Sequence, residues 1–136
     1  MQFDTKIVVV LREDLAIWQK ANVTAFLVSG MAATEPATVG EPYVDGSGNR
    51  YLPMFRQPVL VYGADAAAIR RAFERARARD VELAVYTSEL FATGHDEANR
   101  EAVAAVAAEE LDLVGIAFRA ERKVADKIVD RLRPHA

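Results

Sequence analysis

Lys6-Ile7-Val8-Val9-Val10-Leu11, then Arg12-Glu13-Asp14-Leu15, then a helix-like stretch from Ile17 to Gly30, is the part of the chain whose reading decides the fold. Residues 5–11 are too β-branched to prefer a helix and too apolar for a half-exposed strand, so they read as a central strand covered on both faces. Helices must then lie on both sides of its sheet. Past the charged turn, Leu15, Trp18, Ala21, Ala25 and Val28 recur at helical spacing, while Phe26, Leu27 and Met31 fill the other side. That pattern predicts a deeply buried helix over 15–33. An apolar strand that turns through charged residues into a buried helix is a common location for a site in α/β proteins.

Working outward, residues 34–49 are rich in Pro, Gly and Thr, and Asp45-Gly46-Ser47-Gly48-Asn49 between Tyr43 and Tyr51 reads as the turn of a short hairpin outside the core. Residues 58–62 form a second apolar strand, and Asp65 is placed to cap an Ala- and Arg-rich helix over 66–79. A third strand over 81–86, a helix over 96–110 and a strand over 113–118 follow. The last helix carries Val124, Ile128 and Leu132 spaced by four, and Pro134 is expected to end it. Strands alternating with helices predict one domain, a three-layer α/β/α sandwich around a mixed, mainly parallel four-stranded sheet, with the hairpin as an insertion.

Composition narrows the function classes. A chain of 136 residues with 51% hydrophobic content is the size of one domain and buries roughly two-thirds of its unfolded surface. No apolar run approaches the ~20 residues of a membrane span, and no signal segment precedes the first strand, so a cytoplasmic protein is expected. With no cysteine, disulfides, thiolate nucleophiles and cysteine-ligated metals are closed. Two histidines without further ligands at metal spacing make no metal or cofactor constellation. A formal charge of −3 gives no global attraction for nucleic acid. Arg71, Arg75 and Arg79, spaced by four opposite Ile69, Ala72, Phe73 and Ala76, read as a solvated face in preference to an RNA-binding stripe.

With these elements placed, the chain resembles the type II peptidyl-tRNA hydrolases, in which a first strand leads through an Arg-x-Asp-Leu turn into a buried helix. The matching residues are those from Lys6 to Val10, then Arg12, Asp14 and Leu15. Gln57-Pro58-Val59-Leu60-Val61 and Val114-Gly115-Ile116-Ala117, each with its following helix, agree as well. The run from Trp18 to Leu27 is similar, more closely, to an uncharacterised bacterial branch of that fold, known only as a domain of unknown function. The resemblance implies the hydrolase fold. It also implies where a hydrolase would keep its machinery: a lysine near the start of the first helix, a glutamine and a histidine further along it, and an aspartate and a threonine after the third strand. Lys20 takes the lysine position if one residue is deleted before it. The glutamine then falls on Thr24 and the histidine on Leu27, which can transfer no proton. After the third strand stands Thr87-Ser88-Glu89 in place of the aspartate.

The candidate residues follow from this comparison and from their chemistry. Lys20 either stabilises an oxyanion or grips a phosphate, or stands solvated on a first helical turn. Asn22 and Thr24, polar groups on an otherwise apolar helix, bond neighbouring backbone or face a pocket, because burial without partners costs ~1–3 kcal/mol each. Asp14 orients Lys20 or, as favoured here, caps the helix beginning at Leu15. Thr93-Gly94-His95-Asp96-Glu97 is a helix start with Thr93 as hydroxyl cap and acids in the first turn. Its amides also suit an anion, and His95 is the internal histidine available for proton transfer. His135 is expected to be frayed.

Two readings emerge. In the favoured one the protein has lost the hydrolase chemistry and binds a small or anionic ligand among Asp14, Asn22, Thr24 and Thr93, as a homodimer, with the aromatic-rich insertion from Tyr43 to Met54 and the adjoining Phe55 either buried in the second subunit or closed over a pocket. In the alternative it hydrolyses an acyl ester such as peptidyl-tRNA, with Lys20 on the oxyanion and a water activated by Glu89 or His95.

Overall fold

The structure, a computed structural model, describes residues 3–136. In chain order the elements are β1 (Thr5–Arg12), α1 (Ile17–Thr34), β2 (Tyr43–Val44), β3 (Arg50–Tyr51), β4 (Val59–Ala64), α2 (Ala66–Ala78), β5 (Ala84–Thr87), α3 (Asp96–Ala104), β6 (Leu113–Glu121), α4 (Arg122–Ile128) and β7 (Arg133–Pro134). Short 3-10 turns at Pro36–Thr38, Ser88–Ala92 and Ala108–Glu110 join them.

β1 occupies the middle of a five-stranded sheet of order β5-β6-β1-β4-β7, and its residues from Ile7 to Leu11 are all buried. Alternation along the strand sends Val8 and Val10 toward α2 and α4, where they meet Ile69, Phe73, Ile116, Phe118 and Ile128. Val9 and Leu11 face α1, where they meet Val23, Leu27, Tyr86 and Ala117. The central strand is therefore covered on both faces, as its β-branched run predicts. α2 turns Ile69, Ala72, Phe73 and Ala76 inward and is capped by Asp65, whose carboxylate accepts the Ala68 N–H at 2.8 Å. The insertion is a hairpin pairing Tyr43 with Tyr51, its turn closed around Asp45 and Gly48, the latter at φ 86°.

The sheet departs from the expectation in strand number and direction. It has five strands, and only β1 and β4 pair in parallel; β6 runs antiparallel to both β1 and β5, and β7 antiparallel to β4. A parallel neighbour requires a helix that crosses back over the sheet. The helix after β5 does not do this: α3 buries no residue and packs on the preceding 3-10 turn, so β6 enters from the end where β5 left and runs the other way.

The fifth strand comes from the C-terminus. α4 ends at Ile128, Arg131 takes a left-handed φ of 71°, and the reversed chain lays Arg133–Pro134 along Tyr62–Gly63. Pro134 thus sits in an edge strand, where a missing N–H is tolerated, and does not terminate a helix. His135 is not frayed, since its backbone N–H donates to the Val61 carbonyl at 2.9 Å. Arg75 is half-buried and donates to the Asp130 carbonyl at 3.1 Å, so the arginine face of α2 is partly used to hold the end of α4.

α1 is also less buried than its sequence predicts. Only Val23 and Leu27 are fully buried, while Ile17, Trp18 and Phe26 are 87%, 64% and 56% exposed. The inner seam sits close to the sheet because β6 presents Gly115 beneath Val23 and Leu27. Much of the remaining apolar surface faces outward.

Candidate groove beside the first helix

The turn after β1 is organised by Arg12. Its guanidinium donates to both Asp14 carboxylate oxygens, at 3.0 and 3.1 Å, and to Asp112 at 2.7 Å, tying the start of α1 to the start of β6. Arg12 holds the Asp14 carboxyl below the usual carboxylate range, and Asp112 is lowered first by its bond from the Ser88 hydroxyl and then by Arg12. Asp14 is therefore not the helix cap. α1 starts at Ile17 with Ala16 at the cap position, and the Gln19 side chain accepts the Ala16 N–H at 2.9 Å. The alternative role for Asp14, orienting Lys20, finds no hydrogen bond either, since the carboxylate is held by Arg12.

Along α1, Trp18, Asn22 and Phe26 are spaced by four and form one stripe. Opposite them run the 3-10 turn after β5 and the start of α3. Between the two lies a groove of about 430 Å³, walled by Trp18, Phe26, Leu90 and Phe91, with Tyr86 on the edge strand and a polar side made by Thr93, His95, Asp96 and Asn99. Its four aromatic rings form a chain of contacts: Trp18 meets Phe91 edge-on at 6.2 Å between centroids, Phe91 meets Tyr86 at 5.1 Å, and Tyr86 meets Phe26 edge-on at 6.0 Å. Such pairs favour tilted geometries and hold one another in place. Burial raises the Tyr86 phenol above its ordinary value, so the hydroxyl stays protonated across the neutral range.

On the polar side, α3 is capped by His95 and not by Thr93. The His95 Nδ1 accepts the Ala98 N–H at 3.2 Å, which places the ring proton of the neutral imidazole on Nε2. Thr93 donates to the Leu90 carbonyl at 3.0 Å and contacts the Asn99 carboxamide. Asp96 pairs with Arg100 one turn along α3. Among the described residues the Asn22 side chain has no hydrogen-bond partner.

Of the residues singled out from sequence, Asn22, Thr93 and His95 line this groove. Lys20, Glu89, Thr24 and Asp14 do not. The Thr24 hydroxyl is satisfied by the Lys20 backbone carbonyl at 2.7 Å, one turn back on the same helix, the pattern a hydroxyl adopts when it has no outside partner. Lys20 forms no ion pair among the described residues, and Glu89 stands exposed in its 3-10 turn. Leu27, at the position where the hydrolase histidine would fall, is buried against the sheet. The sequence did not single out Trp18, Phe26, Tyr86, Phe91 or Asn99. The four-residue spacing of Trp18, Asn22 and Phe26 was a usable signal, but aromatic residues on a helix read first as core.

Among the described residues no group of three or more His, Asp or Glu side chains is placed to hold a metal, and no helix is long and apolar enough to cross a membrane.

The fold and the groove define an α/β protein with an open mixed sheet and a ligand-sized aromatic cleft beside its edge strand. The chain belongs to DUF2000, a family of proteins of unknown function whose profile matches residues 5–136. It is similar over 99% of its length, at 48% identity and a TM-score of 0.97, to the whole of a solved chain from Agrobacterium tumefaciens strain C58, itself described as a protein of unknown function. No curated protein matches it.

Proposed function

We propose that this chain is a cytoplasmic fold relative of the type II peptidyl-tRNA hydrolases that has given up their chemistry and binds a small molecule in the groove beside α1. One observation carries the reading: Asn22, distant in sequence from Thr93 and His95, converges with them and with four aromatic side chains on one groove of about 430 Å³, within the size range of small-molecule sites. The hydrolase alternative asks Lys20, Glu89 and His95 to act together, yet only His95 lines the groove, and its Nδ1 is engaged in capping α3.

Homodimerisation belongs to the same proposal. Tyr43, Val44, Tyr51, Leu52 and Met54 are all exposed on the hairpin arm. A two-stranded hairpin with apolar side chains on its surface is marginal alone and gains stability when a second subunit covers it.

A thermal-shift screen of wild type and Asn22→Ala against small metabolites tests the binding. Hits weakened by the substitution support it; the absence of hits, or hits that neither depend on Asn22 nor quench Trp18, would reject the groove as a site. A peptidyl-tRNA cleavage assay comparing wild type with Lys20→Ala tests the alternative, and robust lysine-dependent turnover would overturn the choice made here.

A further inference from the structure

We infer that the ligand of this groove is an uncharged planar ring with a hydrogen-bond donor and an acceptor side by side on one edge, as in a cyclic amide. The inference rests on the groove being a binding site and adds the chemistry of what enters it.

The walls argue for a flat ring. Trp18 and Phe26 are mostly solvent-exposed, although a helix normally turns such side chains inward, and both border the groove. Tyr86 and Phe91 beneath them are held by edge-on and tilted contacts and add further aromatic surface. Aromatic walls of this kind bind a planar partner by stacking and by tilted ring contacts.

Charge argues against an anion. No lysine or arginine is among the lining residues, and the single carboxylate, Asp96, is paired with Arg100. The N-terminus of α3, which otherwise attracts anions, already carries Asp96 and Glu97 in its first turn and has its Ala98 N–H bonded to His95. The same ion pair leaves little net charge to draw a cation.

Asn22 argues for the edge. A carboxamide presents one acceptor oxygen and an NH2 donor in a plane, and it pairs in two-point fashion with a neighbouring donor and acceptor. The Asn22 side chain has no partner among the described residues and stands one helical turn, ~6 Å along the axis, from each of Trp18 and Phe26. A ring resting on either aromatic therefore brings its edge to the Asn22 amide. His95 Nε2–H and the Thr93–Asn99 pair lie on the opposite side for further polar contacts.

Trp18 is the only tryptophan in the chain, so its fluorescence reports on this groove alone. The experiment titrates wild type, Asn22→Leu and Asn22→Asp with three sets of probes. 2-Pyridone, uracil and hypoxanthine carry the paired edge; p-cresol and toluene are aromatic without it; benzoate and inorganic phosphate are anions. Saturable quenching by the first set, weakened about 10- to 100-fold in both variants while p-cresol binding is unchanged, is the expected result. Asn22→Asp keeps an acceptor and removes the donor, so it tests the edge even if Asn22→Leu repacks. Three results overturn the ligand class while leaving the groove intact: benzoate binding as tightly as the first set, affinities indifferent to Asn22, or no quenching by the first set alongside Asn22-dependent hits in the wider screen. No hit in either experiment would reject the site itself.

Discussion

Placing a methyl group on Gly115 should loosen the seam on which α1 is seated. Gly115 lies in β6 between Leu11 of β1 and Tyr86 of β5, directly under the helix. A Cβ there would sit 2.6 Å from Val23 Cγ1, 3.0 Å from Leu27 Cδ1 and 3.5 Å from Leu11 Cδ2. The nearest atom belongs to a β-branched side chain on a helix, which has essentially one rotamer and cannot swing aside. The helix must therefore lift, and overpacking of this kind costs about 1–3 kcal/mol. Taking ~2 kcal/mol, the melting temperature of Gly115→Ala should fall by roughly 5–10 °C for a chain of this size. Urea unfolding followed by circular dichroism gives the free energy, and the double variant Gly115→Ala/Val23→Ala removes the atom that clashes. The two changes should be non-additive by about 1–2 kcal/mol in the direction of rescue. Because Trp18, Asn22 and Phe26 ride on the same helix, ligand affinity should also fall in Gly115→Ala and recover in part in the double variant. A single variant within about 0.5 kcal/mol of wild type, or strict additivity with Val23→Ala, refutes the close-approach argument.

Other perturbations test separate parts of the structure. Thr87 is buried and its hydroxyl has no hydrogen-bond partner among the described residues, so the isosteric Thr87→Val should leave stability unchanged or raise it by about 1 kcal/mol; a clear loss in urea unfolding would reveal a partner. His95→Ala should remove about 1 kcal/mol of capping from α3, while His95→Asp restores it. Since α3 buries no residue, the change should appear as faster amide exchange over Asp96–Ala104 with the global midpoint unmoved, and unaltered exchange would show that the cap contributes nothing. Asp14 and Asp112 have lowered pKa values in the folded protein, so the stability they contribute is present above their unfolded values near pH 4 and is lost as pH falls through the folded ones. The stability gap between wild type and Arg12→Gln should accordingly be widest above pH ~5 and narrow in acid, modestly because both carboxylates are largely solvated; a gap independent of pH contradicts the network. Tyr51→Glu should shift the solution mass by light scattering toward monomer, and an unchanged mass rejects the dimer arm.

The strands and helices that could be read in the sequence are those whose side chains face one environment. The β-branched run from Ile7 to Val10 is buried on both faces, and Ile69, Ala72, Phe73 and Ala76 mark the inner face of α2 with its cap at Asp65. In each case a local pattern and a local hydrogen bond agree. The reading weakened where neighbouring residues competed for the same role or the chain turned. Asp14 had the position of a helix cap but found Arg12, and Thr93 had the chemistry of one but was displaced by His95 two residues later. Leu132 continued a helical spacing that the turn at Arg131 interrupted.

By itself the sequence determined the class of the fold: an α/β chain built on a buried first strand, without cysteine and so closed to thiol chemistry. These properties follow from residue type and short-range spacing. Tertiary structure decided which strands are neighbours, and in which direction they run, because that depends on where α3 and the C-terminal turn pack. It also decided that Trp18 and Phe26 border a groove and are not core. An apolar side chain has the same periodicity whether it faces a sheet or a cleft, and only the position of the opposing segment distinguishes the two.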